Sequence, residues 1–248
     1  MKNRLIKTLN IKRFKLVLLL EGLLVGILAG LVIVGYRICL TNGALWLQRI
    51  LAYCKQSIFT IIIWFVILFV IALVVTKLLD WESLISGSGI PQLEGELAGK
   101  IDAKWWRVLI AKFFGGFLAN FSGLALGREG PSIQLGAMVG KGIGKVLKRG
   151  KTEERYLLTC GASAGLAAAF HAPLAGVMFA LEEVHKHFSA PLLISVMTSS
   201  IAADYLMSSI LGMAPVFSFN IHGTLPTQYY WMVIILGIIL GLLGAFYN

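Results

Sequence analysis

Arg128 and Glu129 stand side by side in "LALGREGPSIQLG" (residues 124–136), boxed in by glycines and a proline with apolar runs on both sides. A carboxylate at membrane depth is costly enough to be functional by default. Gly130, Pro131 and Ser132 are expected to open a helix, because proline suits a first helical turn. The free N–H groups of that turn and the helix dipole favour an anion. Glu129 therefore stands beside a place made for negative charge. The plainer reading is a simple Arg128–Glu129 ion pair. Adjacent residues rarely face each other on a helix, and such a pair has no need of the flanking Gly and Pro.

A second stretch of the same kind is "SGSGIPQLEGEL", residues 86–97. Gly87 and Gly89 bracket Ser88, and Pro91 marks another helix start. A serine hydroxyl can donate one hydrogen bond to an anion, while glycines let backbone N–H groups come close. Taken alone, this is equally an ordinary loop with a capping serine. A third stretch, "LEEV", places Glu182 and Glu183 next to each other, with Lys186 close behind. A solvated helix end accounts for it at this level.

Three weaker patterns read as structure. "GASAG" (161–165) fits a nucleophile-elbow pattern, but that motif needs a strand before it and a triad beyond. A helix face of small residues is the simpler account. "GKGIG" (140–144) lacks the spacing of a phosphate loop. His185 and His187 are two apart and diverge on a helix, so no metal site is expected.

The elements that hold these residues belong to a membrane protein. The 248-residue chain is 58% hydrophobic and 14% charged, against about 25% charged in a soluble domain. The net charge of +10 does not imply nucleic acid. Lys2, Arg4, Lys7, Lys12, Arg13 and Lys15 precede the first apolar run with no acid among them, which predicts a cytoplasmic N-terminal segment, residues 1–15. Residues 16–38, 58–76, 190–212 and 230–247 are each long enough to cross about 30 Å of hydrocarbon. Gly22, Gly26 and Gly30 lie four apart in the first, a face built for close helix contact. Cys39, Cys54 and Cys160 show no metal spacing, and Cys39 and Cys54 are expected as two buried thiols rather than a disulfide.

Between residues 77 and 189 the apolar stretches shorten. Charged segments at 77–107, 148–155 and 182–187 share one side if all are cytoplasmic, with 39–57 and 213–229 on the other. Residues 105–147 and 157–181 must then each leave and return on one side, as hairpins broken at "GREGP" and "HAP". Irregular backbone at that depth survives only in protein or beside a wet cavity, and such interrupted helices point to a transporter's binding site.

"GSGIP", then "GREGP" about forty residues on, then "GLAAAFHAPLAGVMFALEE", closely resemble the CLC family of chloride channels and chloride/proton exchangers. The resemblance runs from about residue 15 onward. It implies an all-α, polytopic membrane fold with broken and re-entrant helices, built as inverted repeats, and a homodimer with a separate pore in each subunit. It implies a chloride site at Ser88, drawn from Gly87, Gly89, Ile90, Arg128 and Gly130 as well, and a gating role for Glu129. Exchangers of the family carry a second glutamate where Glu183 stands, for internal proton transfer, and channels usually carry an aliphatic residue there. The family's second half, with its phenylalanine-containing helix start and its tyrosine, has no counterpart here. The expectation is half of the inverted-repeat fold, residues 16–248 forming a truncated transmembrane domain.

The reading is thus a multi-pass protein of the cell's inner or plasma membrane, exchanging chloride for protons. It has no cofactor, no metal, no enzymatic activity and no nucleic-acid partner. A passive chloride channel is the alternative within the family, with Glu183 against it, and a fluoride-selective branch fits Ser88 and Pro131 less well. From other classes stand an intramembrane serine protease built on Ser163 with His171 or His185 as base, and a non-transporting subunit.

Overall fold

Breaker-free apolar runs make the long helices, and each glycine–proline cluster ends one helix and starts another. The computed structural model describes residues 2–186, 188–213, 223 and 226–247, with side chains from residue 16 onward. His187 and the segment around His222 lie outside the described residues. The chain divides into two units, Met1–Met213 and Ala214–Asn248.

In the first unit, α1 runs Lys2–Cys54 without interruption. The expected connection at 39–57 is therefore helix as far as Cys54. The physical reason is that this stretch holds no proline and a single glycine, Gly43, too weak a breaker to stop a helix. Its apolar part, Leu16–Cys54, has 39 residues and is about 58 Å long. It must tilt or project beyond the hydrocarbon. Cys39 and Cys54 lie fifteen residues apart on that one helix, about 22 Å. They are free and half-exposed, not buried as expected, whereas Cys160 is free and buried. Ser57 caps α2 (Ile58–Trp81) by accepting from Phe59 N at 3.3 Å.

A short 3-10 turn, Ser83–Ile85, leads through the glycine loop to α3 (Ile90–Leu97) and then α4 (Trp105–Phe121). α5 spans Glu129–Val146 and α6 spans Lys151–Phe170. α6 stops where His171 takes the left-handed conformation, φ 55°, and Pro173 at once starts α7 (Pro173–Phe179). A turn of π-helix, Ala180–His185, follows, and then α8 (Ala190–Leu211), ended by Gly212 at φ 82°. The two sequence-predicted hairpins are thus α4–α5 and α6–α7, broken at "GREGP" and "HAP".

The core lies on α5 and α6. Every residue of α5 from Ser132 to Gly144 is buried, as is every residue of α6 from Leu157 to Ala169. Glycines make this approach feasible. A Cβ on Gly136 would collide with the Gly161 backbone, and one on Gly165 with the Ser132 backbone. "GASAG" is therefore a packing face, as read. α1 meets α8 in the same way, with Gly22 against Ser195, Gly26 against Ser199 and Gly30 against Ala203.

The second unit holds a 3-10 turn, Thr227–Tyr229, and α9 (Trp231–Tyr247). Among the described residues, Leu16–Cys54, Ile58–Trp81, Ala190–Leu211 and Thr227–Tyr247 are long and apolar enough to span a membrane. The protein is all-α and an integral, multi-pass membrane protein.

Candidate anion site

Two glycines in left-handed conformations, Gly87 at φ 65° and Gly89 at φ 92°, fold the loop that carries Ser88. Neither angle suits a residue with a Cβ. Side chains from other elements pin the loop, two of them buried and Gln92 half-buried. Lys112 Nζ on α4 donates to Ile85 O at 2.8 Å and Gly87 O at 2.7 Å. Gln134 on α5 donates to Leu84 O at 2.8 Å, and Gln92 on α3 to Ser86 O at 3.0 Å. Ser88 Oγ accepts weakly from Ile90 N at 3.3 Å, which leaves its hydroxyl proton uncommitted among the described residues.

The "GREGP" corner lies directly against this loop. A Cβ on Gly130 would fall 2.8 Å from Ser88 O and 3.0 Å from Ser88 Cβ. Ser88, Gly130 and Pro131 line one cavity of about 450 Å³, whose wall also includes Gly87 and Lys112. Lys112 is the one charged side chain on that wall among the described residues. A buried ammonium, a serine hydroxyl and a helix start around one space form a place for an anion.

Glu129 opens α5 as its first helical residue, with Arg128 as N-cap. Its carboxylate folds back over Gly127, where a Cβ would come within 2.8 Å of Oε2. Arg128 Nε stands 3.9 Å from Glu129 Oε1, with the side chains 30% and 34% exposed. That separation is too long for a hydrogen bond. The two side chains form an ion pair, as in the plainer sequence reading, without a hydrogen bond between them.

Glu182 and Glu183 lie exposed on the π-helical turn. His185 Nδ1 meets Thr159 Oγ1 at 2.8 Å, so α7 has run back along α6. Thr159 is twelve residues before His171, which puts Glu183 about 18 Å along the hairpin from the break. Glu129 and Glu183 are not brought together. Lys186 pairs with Glu94 of α3 at 3.4 Å rather than with either neighbour in "LEEV".

The serine-protease geometry is not assembled. Ser163 is fully buried, and its Oγ lies 2.5 Å from Ser200 Oγ. His171 instead contacts Arg37, and His185 contacts Thr159. No group of metal-ligating side chains occurs among the described residues.

Sequence reasoning missed three buried charges. Lys112 holds the Ser88 loop. Lys141, fully buried, pairs with Glu96, with Asp102 at 2.7 Å and with Ala103 O at 2.7 Å. Glu21 on α1 pairs with Arg149 in the α5–α6 turn. Their signal was a lone charge inside an apolar run, as in "AKFFGG" and "GKGIG". Asp102 lies in the loop before α4, and the hydrogen bond from Lys141 holds its carboxyl below the usual carboxylate range.

Comparisons with known proteins place the chain in one family. Residues 68–248 match the family model described as voltage gated chloride channel. The chain is 35% identical over 245 residues to the "H(+)/Cl(-) exchange transporter ClcA" of Citrobacter koseri, covering 94% of this chain and 50% of that one. It is 35% identical over 261 residues to the protein of the same name from Salmonella arizonae, covering 100% of this chain and 54% of the relative. A crystal structure of a slow cyanobacterial Cl−/H+ antiporter superposes with a TM-score of 0.81 at 33% identity, covering 92% of this chain and 54% of that one. The chain spans about half the length of the curated relatives it matches.

Proposed function

Because the chain belongs to the voltage-gated chloride channel family, we propose that it forms the first half of a transporter exchanging chloride for protons. The observation that carries this reading is the cavity between the Ser88 loop and the "GREGP" corner, with Lys112 as its one described charge. Ser88 donates its hydroxyl to chloride there. Gly87, Gly89, Ile90 and Gly130 bring backbone close to the ion, and Arg128 raises the local potential. The name of the relatives, H(+)/Cl(-) exchange transporter, supports the choice of ions.

Glu129 serves as the gate. When charged, it competes with chloride for the positive region at the start of α5; when protonated, it loses that attraction and swings away, carrying a proton. Glu183, exposed about 18 Å along the second hairpin, takes protons from the opposite face. Residues 1–15 lie in the cytoplasm of a cell whose inner or plasma membrane holds the protein. Two copies associate, and the apolar stripe Ile194, Met197, Ile201 and Tyr205, exposed on α8, offers them a surface.

Chloride calorimetry on the full-length protein tests the site. A hydrogen bond to a charged group contributes about 1.5–3 kcal/mol, so Ser88→Ala weakens binding about tenfold or more. Unchanged affinity returns Ser88 to the role of a loop-capping residue.

A further inference from the structure

His171, at the break of the second hairpin, links three elements through a contact whose chemistry depends on its protonation. Its side chain is 13% exposed. Nε2 lies 3.0 Å from Arg37 Nη1 on α1. A guanidinium has donors and no acceptor, so Nε2 must be the acceptor and carry no proton. The ring proton then sits on Nδ1, which lies 3.3 Å from Asp204 Oδ1 and 3.3 Å from Ser208 Oγ, both on α8. Asp204 Oδ1 is buried and makes no hydrogen bond of full geometry among the described residues. An unsatisfied carboxylate oxygen is thus aimed at the imidazole.

This cluster stands level with the candidate gate, because α5 and α6 pack antiparallel with Gly140 against Leu157, Gly136 against Gly161 and Ser132 against Gly165, which brings the start of α5 to the end of α6 beside His171. The charged groups around His171 are Arg37 from α1, Asp204 from α8, and, level with them, Arg128 and Glu129 at the start of α5. The adjoining ends of α6 ("LAAAF") and α7 ("PLAGVMF") bring no titratable side chain.

We propose that His171 is a proton-sensitive positioning residue for Arg37, and that Arg37 is a second cation at the anion entrance beside Arg128. With His171 neutral, the guanidinium is tethered to Nε2. A proton taken from solution onto Nε2 sets two donors face to face, so the tether breaks. The new charge is stabilised by Asp204 through the Nδ1–H, and Arg37 is released from the imidazole. One positive charge is thereby added and a second is freed, and chloride is drawn in more strongly as that side is acidified. This inference rests on the reading of Glu129 as the gate.

The experiment uses the full-length protein in vesicles, with chloride supplied at the Arg128 face from about pH 8 to about pH 5, the range across which histidine changes charge. It is run in the natural sequence and in Glu129→Gln, which removes the gate's own titration. The half-saturating chloride concentration is expected to fall roughly three- to tenfold on acidification, the scale of one added charge acting through a partly solvated path. His171→Asn tolerates the left-handed backbone and keeps an acceptor for Arg37 but cannot take the proton. It should flatten the profile while flux persists. Arg37→Gln removes the tethered cation and should shrink the acid-induced fall, since only the charge on His171 is then added. A slope that survives His171→Asn in both backgrounds, or a flat profile in Glu129→Gln, overturns the proposal. Proton coupling that survives Glu129→Gln overturns the gate reading instead, and the His171→Asn comparison with Glu129 in place still decides this one.

Discussion

Replacing Lys112 by methionine removes the one described charge on the wall of the Ser88 cavity at nearly constant side-chain volume. Lys112 is 4% exposed and donates to Ile85 O and Gly87 O. Two opposed effects act on stability. Both hydrogen bonds to the loop are lost, at about 1.5–3 kcal/mol each, but an ammonium no longer has to be desolvated, which returns several kcal/mol. The net change is a destabilisation of about 1–3 kcal/mol, which leaves folded protein. Chloride binding has no such compensation. A rounded cavity of 450 Å³ has a radius of about 5 Å, so an ion at its centre sits about 5–7 Å from the ammonium. At an effective dielectric constant of about 20 that is ~2–3 kcal/mol, or roughly 30- to 150-fold in affinity. Calorimetric titration of full-length protein with chloride measures it, and thermal unfolding confirms that the variant is folded. Gln92→Leu is the control, because it cuts another tie to the loop, at Ser86 O, without removing a charge; it should weaken binding less than about threefold. If folded Lys112→Met binds chloride within about threefold of the natural protein, or if Gln92→Leu does equal damage, the electrostatic argument is wrong.

Gly136→Val should prevent the α5–α6 approach and abolish monodisperse protein on gel filtration, since even one Cβ there meets the Gly161 backbone, whereas Gly35→Ala, with open space around it, should be neutral or stabilise by up to about 1 kcal/mol. Glu183→Gln should stop proton movement and spare chloride movement in paired flux assays; retention of both would make it a solvated helix end. Lys141→Met should lower stability by about 3–5 kcal/mol, because it leaves Glu96 buried beside α5 without its partner. The stability contributed by the Asp102–Lys141 bond should be full above the ordinary carboxylate range and decline as pH falls below about 4 and on through the lowered pKa of the folded state. Asp102 has a lowered folded-state pKa, so the unfolded chain binds its proton first and stability drops on acidification. Asp102→Asn should remove that part of the acid dependence in melts taken from about pH 5 to about pH 2.

What the sequence made legible was local. Gly87, Gly89, Pro91, Gly130, Pro131 and Pro173 announce breaks through their own backbone chemistry, so both hairpins and the Ser88 loop could be placed. The spacing of Gly22, Gly26 and Gly30 exposes a packing face, although not that Ser195, Ser199 and Ala203 of α8 would meet it. The length of α1 was not legible, because residues 39–54 are less apolar than the run before them yet hold nothing that stops a helix. The long-range partners of the cations stayed hidden for another reason. Lys112 binds carbonyls 25 and 27 residues away, Lys141 binds Glu96 across 45, and Arg37 meets His171 across 134. Such partners have no local pattern, and a main-chain carbonyl leaves no trace in sequence at all.

Glu129 carries the central claim, and ion flux from vesicles containing the full-length protein tests it most directly. An outward chloride gradient is imposed, and proton movement is followed with a pH electrode while chloride efflux is followed with a chloride electrode. In the natural protein, chloride leaving should pull protons inward against their gradient. In Glu129→Gln the side chain keeps the shape of the protonated carboxyl and cannot exchange its proton, so chloride efflux should continue with no proton uptake. If Glu129→Gln still takes up protons in proportion to the chloride released, Glu129 is not the gate.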